Sequence, residues 1–253
     1  MRQVFVINLD KDTARLAACG AMLDAAGIAW ERVPAVNGRA LSADELAAAY
    51  DPKANAARAK YPLVAPEIGC YLSHLRAWQA IVDADLPMAV VLEDDFSLTG
   101  DLAAVIAALA QDQGDWDIAK LFSFRPDARL MGARALSPEL KIGFPYRVPS
   151  TTLGYAIRRS AALKLLQTTT PFFRPIDEDH KFFWEKDLRI ALVQPQPLRV
   201  GLQDAAEGTV GDVRKTSARA GHETGVARAL RGLRYSFGYQ IGLHLSRLLG
   251  RGR

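Results

Sequence analysis

The chain is poor in cysteine and has no long apolar run. Two cysteines, Cys19 and Cys70, cannot build a disulfide framework or a structural zinc site. A reducing, cytosolic setting fits that usage best. No window approaches 18 uninterrupted apolar residues, which argues against a membrane-spanning helix. The opening MRQVFVINLDKD lacks the apolar core and small-residue cleavage site of a signal peptide, and reads as a strand entering a helix. Glycine-rich phosphate loops of the dinucleotide or P-loop kind are also missing. What remains is ordinary globular material: 49% apolar and 24% charged, enough in 253 residues for one large domain.

Charge is unevenly spread. From Val210 to Arg253 there are nine lysines and arginines against two acids, so the rest of a chain of net charge +4 is mildly acidic. The expected division is a body, residues 1–209, and a basic segment, 210–253. In that segment Val226, Leu230, Leu233, Phe237, Ile241, Leu245 and Leu248 recur every three or four residues, with Arg228, Arg231, Arg234 and Arg247 off the stripe. This is the pattern of a helix lying on an anionic membrane, or of one that packs. Nucleic acid is the weaker partner, because the basic charge is confined to a tail with an apolar stripe.

Strand and helix signals alternate through the body. Strands are expected at Val4–Ile7, Ile28–Val36, Met88–Leu92, Ile118–Phe122, Leu153–Ile157 and Ile190–Val193. Helices are expected after Asp12, after the capping pair Ser42/Glu45, over Pro66–Val82, over Asp101–Ala110, after a Ser160 cap, and over Glu178–Glu185. Residues 51–66 read as an exposed loop or flap, and 125–149 show no clear period. The alternation predicts an α/β fold with a mostly parallel central sheet flanked by helices.

Chemistry concentrates at one strand end. Met88–Leu92 is apolar on both faces and stops at Glu93, Asp94 and Asp95. In open α/β sheets ligands sit beyond the carboxyl ends of strands. Mg²⁺ and Mn²⁺ take oxygen ligands, often one or two carboxylates plus substrate phosphates. Alternation sends Asp94 to the side opposite Glu93 and Asp95. Three further segments suit such a site. VFVINLDKDTARL has a polar strand exit and Arg15. PEIGCYLSHLRAW puts Gly69 and Ser73 on one helical face, with Cys70 and His74 beside it, as either a close-approach face or plain packing. RPIDEDHKFFWE offers Asp177 and Asp179 beside aromatics, either as a general base with a sugar platform or as an acidic first turn.

Together and in this order, VFVINLDKDTAR, EIGCYLSHLRAWQAI, AVVLEDDF, TTLGYAIRRSAALKLL and RPIDEDHKFFW resemble glycosyltransferase family 25, the bacterial lipooligosaccharide β-galactosyltransferase group related to collagen galactosyltransferase domains. The resemblance covers residues 3 to about 200. It implies a GT-A-like fold, a UDP-sugar donor, Mn²⁺ or Mg²⁺, and inverting transfer, most simply of galactose, to a lipopolysaccharide or other glycan acceptor. It implies metal binding by Asp95 and Asp94 and a base at Asp177 or Asp179. It also puts Asn8, Leu9, Arg15, Gly69, Ser73, His74, Glu93, Asp94, Gly154 and Tyr155 near the donor, with Thr152 close by. Gln203 and Asp204 are further candidates for the metal. A glycolipid acceptor would place the protein at the inner face of the cytoplasmic membrane. A metal-dependent phosphohydrolase and a non-enzymatic membrane-surface protein are the competing readings.

Overall fold

The computed structural model describes residues 3–201 and 225–250. An eight-stranded mixed sheet forms its centre. In chain order the strands are β1 (Val4–Asn8), β2 (Trp30–Pro34), β3 (Met88–Glu93), β5 (Ile118–Lys120), β6 (Leu130–Ala135), β7 (Lys141–Pro145), β8 (Gly154–Arg158) and β9 (Ile190–Gln194). Their spatial order is β2-β1-β3-β8-β5-β9-β7-β6. Two short strands, β4 (Phe96–Leu98) and β10 (Leu198–Val200), pair separately.

The strand period of two sorts side chains into two cores. Phe5, Ile7, Ala89 and Val91 face one, while Val4, Val6, Val90 and Leu92 face the other. The first core is covered by α4 (Ala65–Asp83) through Tyr71, Trp78 and Ile81, and by α6 (Arg159–Thr168) through Ala161 and Leu165. The second is covered by α1 (Thr13–Ala25) through Cys19 and Leu23, and by α5 (Leu102–Gln111) through Val105 and Leu109. Helices therefore flank both faces of the sheet, as its apolar strands require.

The sheet is less parallel than expected. Only β1–β2, β1–β3 and β5–β9 pair in parallel; β3–β8, β5–β8, β7–β9 and β6–β7 are antiparallel. Two causes are visible. Residues 125–149, without a readable period, fold into the β6–β7 hairpin, whose register shifts between Met131 and Arg134. Strand β8 inserts antiparallel between β3 and β5.

The expected flap at 51–66 is also corrected. It holds a short helix, α3 (Pro52–Arg58), with Pro at its first turn and Asp51 accepting from the Ala54 amide at 2.9 Å. Asn55 is buried and donates to Tyr61 O at 2.9 Å and Phe173 O at 2.7 Å, which ties the segment down. Ser160 does not cap α6, whose N-cap is Arg158. The Ser42/Glu45 capping box is present and opens α2 (Ala43–Ala49). A 24-residue helix, α8 (Gly225–Leu248), lies against α3 and the turn Phe183–Glu185. The boundary at 209/210 falls outside the described residues.

This topology brings the predicted site residues to one edge of the sheet. Strands β1, β3 and β5 share one direction, so Asn8, Glu93 and Lys120 end on the same sheet edge. Antiparallel β8 starts at that edge, pairing Leu92 with Gly154 and Lys120 with Tyr155. Helix α7 (Ile176–Lys181) brings Asp177 and His180 to the same end.

Candidate active site

The three acids after β3 diverge. Glu93 turns towards α4 and β8: His74 Nε2 lies 3.3 Å from its Oε1, and Thr152 donates to the same oxygen. Asp94 turns to the α1 side. Its Oδ2 accepts from Asn8 Nδ2 at 2.6 Å, and its Oδ1 lies 3.4 Å from Arg15 Nη1. Asp95 is half-buried, and its negative charge is felt at both Cys19 and Cys70. Glu93 and Asp94 thus diverge as period-two alternation predicts, whereas Asp95 lies beyond the end of β3 and acts on both sides.

Behind Glu93 runs a chain of buried hydrogen bonds. Trp78 Nε1–H donates to Tyr155 Oη at 2.8 Å, and that oxygen lies 2.8 Å from His74 Nδ1. The indole can only donate, so Tyr155 Oη accepts from it, leaving the Tyr155 proton available to His74 Nδ1. His74 then carries its own proton on Nε2 and donates it to Glu93. Burial pushes the Glu93 carboxyl up, but the bonds from His74 and Thr152 and the charge of Lys120 outweigh it, leaving the group below its ordinary value. Glu93 is held as a carboxylate.

Lys120 was not anticipated. It is fully buried at the end of β5, donating to Thr151 O at 2.7 Å and to His180 Nδ1 at 2.8 Å. Burial drives its pKa down to about 7, against the pull of Asp177 and Glu93. His180 is kept neutral by burial and by the charges of Lys120 and Lys186, and its buried Nε2 has no hydrogen-bond partner among the described residues. One signal was readable: a lysine inside the apolar run IAKLF that ends on the same edge as Glu93. Linkage makes the pair testable. Lys120 releases its proton near pH 7 in the fold but near pH 10 to 11 when unfolded, so its cost is full below pH 7 and fades as pH rises. The stability difference between wild type and Lys120→Met should move in favour of wild type between pH 7 and 10, by up to about 1.4 kcal/mol per unit. Urea unfolding at pH 6, 8 and 9.5 measures this, and a difference that stays flat with pH would refute it.

The two candidate bases separate. Asp179 is buried and committed: Tyr71 donates to its Oδ2 at 2.6 Å, Arg174 Nη2 lies 3.1 Å from its Oδ1, and Lys186 Nζ is 3.5 Å away. Asp177 is half-buried, and its charge acts on Lys120 and on Cys70. The charges felt at Cys70 come from Glu93, Asp177, Glu67 and Asp95, so elements distant in sequence meet around it.

Several other predicted residues stand one layer back. Gly69 packs against the 36–38 turn, where a Cβ would overlap the Val36 carbonyl. Ser73 is buried, accepting from Val36 N at 2.8 Å and donating to Gly69 O at 2.6 Å. The small-residue face of α4 is therefore used for close backbone packing, not offered to a cleft. Gly154 makes room for Leu198 and Leu92, and Tyr155 is buried as the support of His74. The Asn8 amide is fully used: Nδ2 also donates to Asp12 O at 2.9 Å, and Oδ1 accepts from Arg32 Nε at 3.2 Å. Arg32, which also pairs with Asp10, was missed because a lone arginine in a strand carries no motif. Leu9 is half-exposed beside this cluster. Gln203 and Asp204 lie outside the described residues.

Among the described residues, Cys70, His74 and Glu93 each bring one ligand atom to within 4.8 Å of the others. Both nitrogens of His74 are already engaged, by Tyr155 and Glu93, with Cys70 beside them. Asp94 and Asp95 offer the oxygen ligands that a hard cation prefers, with the Asp94 oxygens shared with Asn8 and Arg15. Burial pushes Asp94 up despite Asn8 and Arg15, a strain that a cation would relieve.

Comparison with known proteins fits this arrangement. The model of glycosyltransferase family 25 (LPS biosynthesis protein) matches residues 1–179, and the chain belongs to that family. Among relatives, it is 29% identical over 185 residues to procollagen galactosyltransferase 2 of Mus musculus, covering 70% of this chain and 29% of that one. It is 30% identical over 193 residues to a glycosyltransferase 25 family member of Anopheles gambiae, covering 70% and 31%. It is 27% identical over 272 residues to the inactive glycosyltransferase 25 family member 3 of Mus musculus, covering 91% and 43%. The chain spans about a third of the length of the first two relatives and under half of the third.

Proposed function

We propose that the protein is an inverting glycosyltransferase that moves a sugar, galactose first among candidates, from a UDP-sugar to a glycan or glycolipid acceptor with Mn²⁺ or Mg²⁺. The observation that carries this reading is the convergence of Glu93, Asp95 and Asp177 with Lys120 at one sheet edge. A sheet edge with acids at strand ends and helices on both faces is consistent with a GT-A-like arrangement. Asp94 and Asp95 would hold the cation, which when bound neutralises the departing diphosphate. Asn8, Leu9, Arg15 and Arg32 border the nucleotide side. Asp177 takes the proton of the acceptor hydroxyl, the role inversion requires of a base. Glu93, fixed by His74 and Thr152, and Lys120, fixed by His180 and Thr151, set the charge around that base. Asp179 holds α7 in place.

Thermal shift with UDP-galactose, UDP-glucose and UDP-N-acetylglucosamine, each with and without Mn²⁺, tests the donor side. Stabilisation that needs both sugar nucleotide and metal is the expected result. No shift with any donor would sink the reading and leave the chain resembling its relatives named inactive. Phosphate release from simple esters without any acceptor would point to a phosphohydrolase instead.

A further inference from the structure

Helix α8 is built inside out for a surface helix. Ordinarily the apolar stripe faces the core and the charged face meets water. Here Val226, Leu230, Leu233, Phe237, Ile241, Leu245 and Leu248 are between 44% and 82% exposed. The opposite face grips the domain largely by polar contacts. Arg231 is buried and donates to Ala59 O at 3.0 Å, Asn55 O at 3.1 Å and Asn55 Oδ1 at 2.5 Å. Arg247 is buried, donating to Pro145 O at 2.6 Å with its guanidinium 4.4 Å from the Phe183 ring centre. Tyr239 and Leu243 join the core, and Trp184 seats against Gly242. With the inner face so fixed, no rolling of the helix can hide the stripe.

We propose that the outer face of α8 is a docking surface for an anionic lipid bilayer. Three observations select that occupant. The stripe runs the length of a 24-residue helix, about 36 Å, as separate side chains on a convex surface, which suits a fluid plane. The helix carries no acid; of its four arginines Arg231 and Arg247 turn inward, while Arg228 and Arg234 are exposed beside the stripe, Arg234 also donating to Ala56 O at 2.6 Å, so the complement of the outer face is negative. A second copy of the same helix brings the same cations and no carboxylate to meet them. Among the described residues no helix is long and apolar enough to cross a membrane, so the helix would lie in the interface, its apolar side chains among the acyl chains.

Deleting α8 is a poor test, because its inner face completes the core. The intact chain should instead be floated with vesicles of phosphatidylcholine alone and of phosphatidylcholine with about one-third phosphatidylglycerol. It should partition onto the anionic vesicles, less so at high salt, and only weakly onto the neutral ones. Leu233→Glu/Phe237→Glu should weaken that partition by about tenfold or more. The melting temperature should not change, since both side chains point outward. The proposal is overturned if wild type stays unbound, if it binds neutral vesicles equally well, or if the double variant binds like wild type. It is also overturned if light scattering finds a dimer that the double variant dissolves while neither form associates with lipid.

Discussion

Asp95→Ala should lower sugar transfer by about a thousandfold or more and abolish the Mn²⁺-dependent part of the thermal shift with UDP-sugar. The size follows from the several kcal/mol that a cation contributes where charge develops on a leaving group, each 1.36 kcal/mol being tenfold in rate. The choice of residue follows from how its neighbours are held. Glu93 is tied to His74 and Thr152, and Asp94 to Asn8 and Arg15. Substituting either would remove those bonds as well as any ligand to the cation, so loss of activity there would be ambiguous. Asp95→Ala also keeps the backbone carbonyl that accepts from the Gly201 amide at 2.5 Å. Chelation of the metal from wild type should reproduce the defect. Wild-type transfer by the variant, or an undiminished Mn²⁺-dependent shift, would remove Asp95 from the metal site.

The parts of this site that were legible in sequence are those where chemistry is local. An apolar strand ending in three acids announces its edge, and period-two alternation says which acids diverge. The Ser42/Glu45 cap is likewise local and is present. What was not legible depends on long-range pairing. Strand β8 reads as a strand, but nothing in GYAIR says that it runs antiparallel between β3 and β5. The β6–β7 hairpin is exposed along β6, so its burial pattern gives no alternation to find. Gly69 and Ser73 have the composition of a ligand-approach face and of a packing face equally. Only the Val36–Gly38 turn, brought in from another element, decides between them. The stripe on α8 was plain in sequence, but its direction was not. Buried arginines making backbone hydrogen bonds reverse the usual expectation that charge faces water.

Asp177→Asn and Asp179→Asn should part company although they lie two residues apart. Asp179→Asn should cost about 3 kcal/mol of stability, because it leaves the fully buried Arg174 short of one carboxylate and weakens the bond from Tyr71. For a chain of this size that is a fall of roughly 6 to 12 °C in melting temperature. Asp177→Asn should lower the melting temperature less than Asp179→Asn does and lower transfer by about 10² to 10⁴-fold, the usual worth of a positioned base. On the proposed reading, in which Asn8 and Arg15 border the nucleotide, donor binding should survive it. It should also leave Lys120 less inclined to hold its proton, because Asp177 is the strongest charge supporting it. Unfolding by urea, the UDP-sugar thermal shift and acceptor-dependent UDP release separate these effects. If Asp177→Asn transfers normally while a folded Asp179→Asn is inactive, the base lies in the Tyr71–Arg174 cluster and the two roles are reversed.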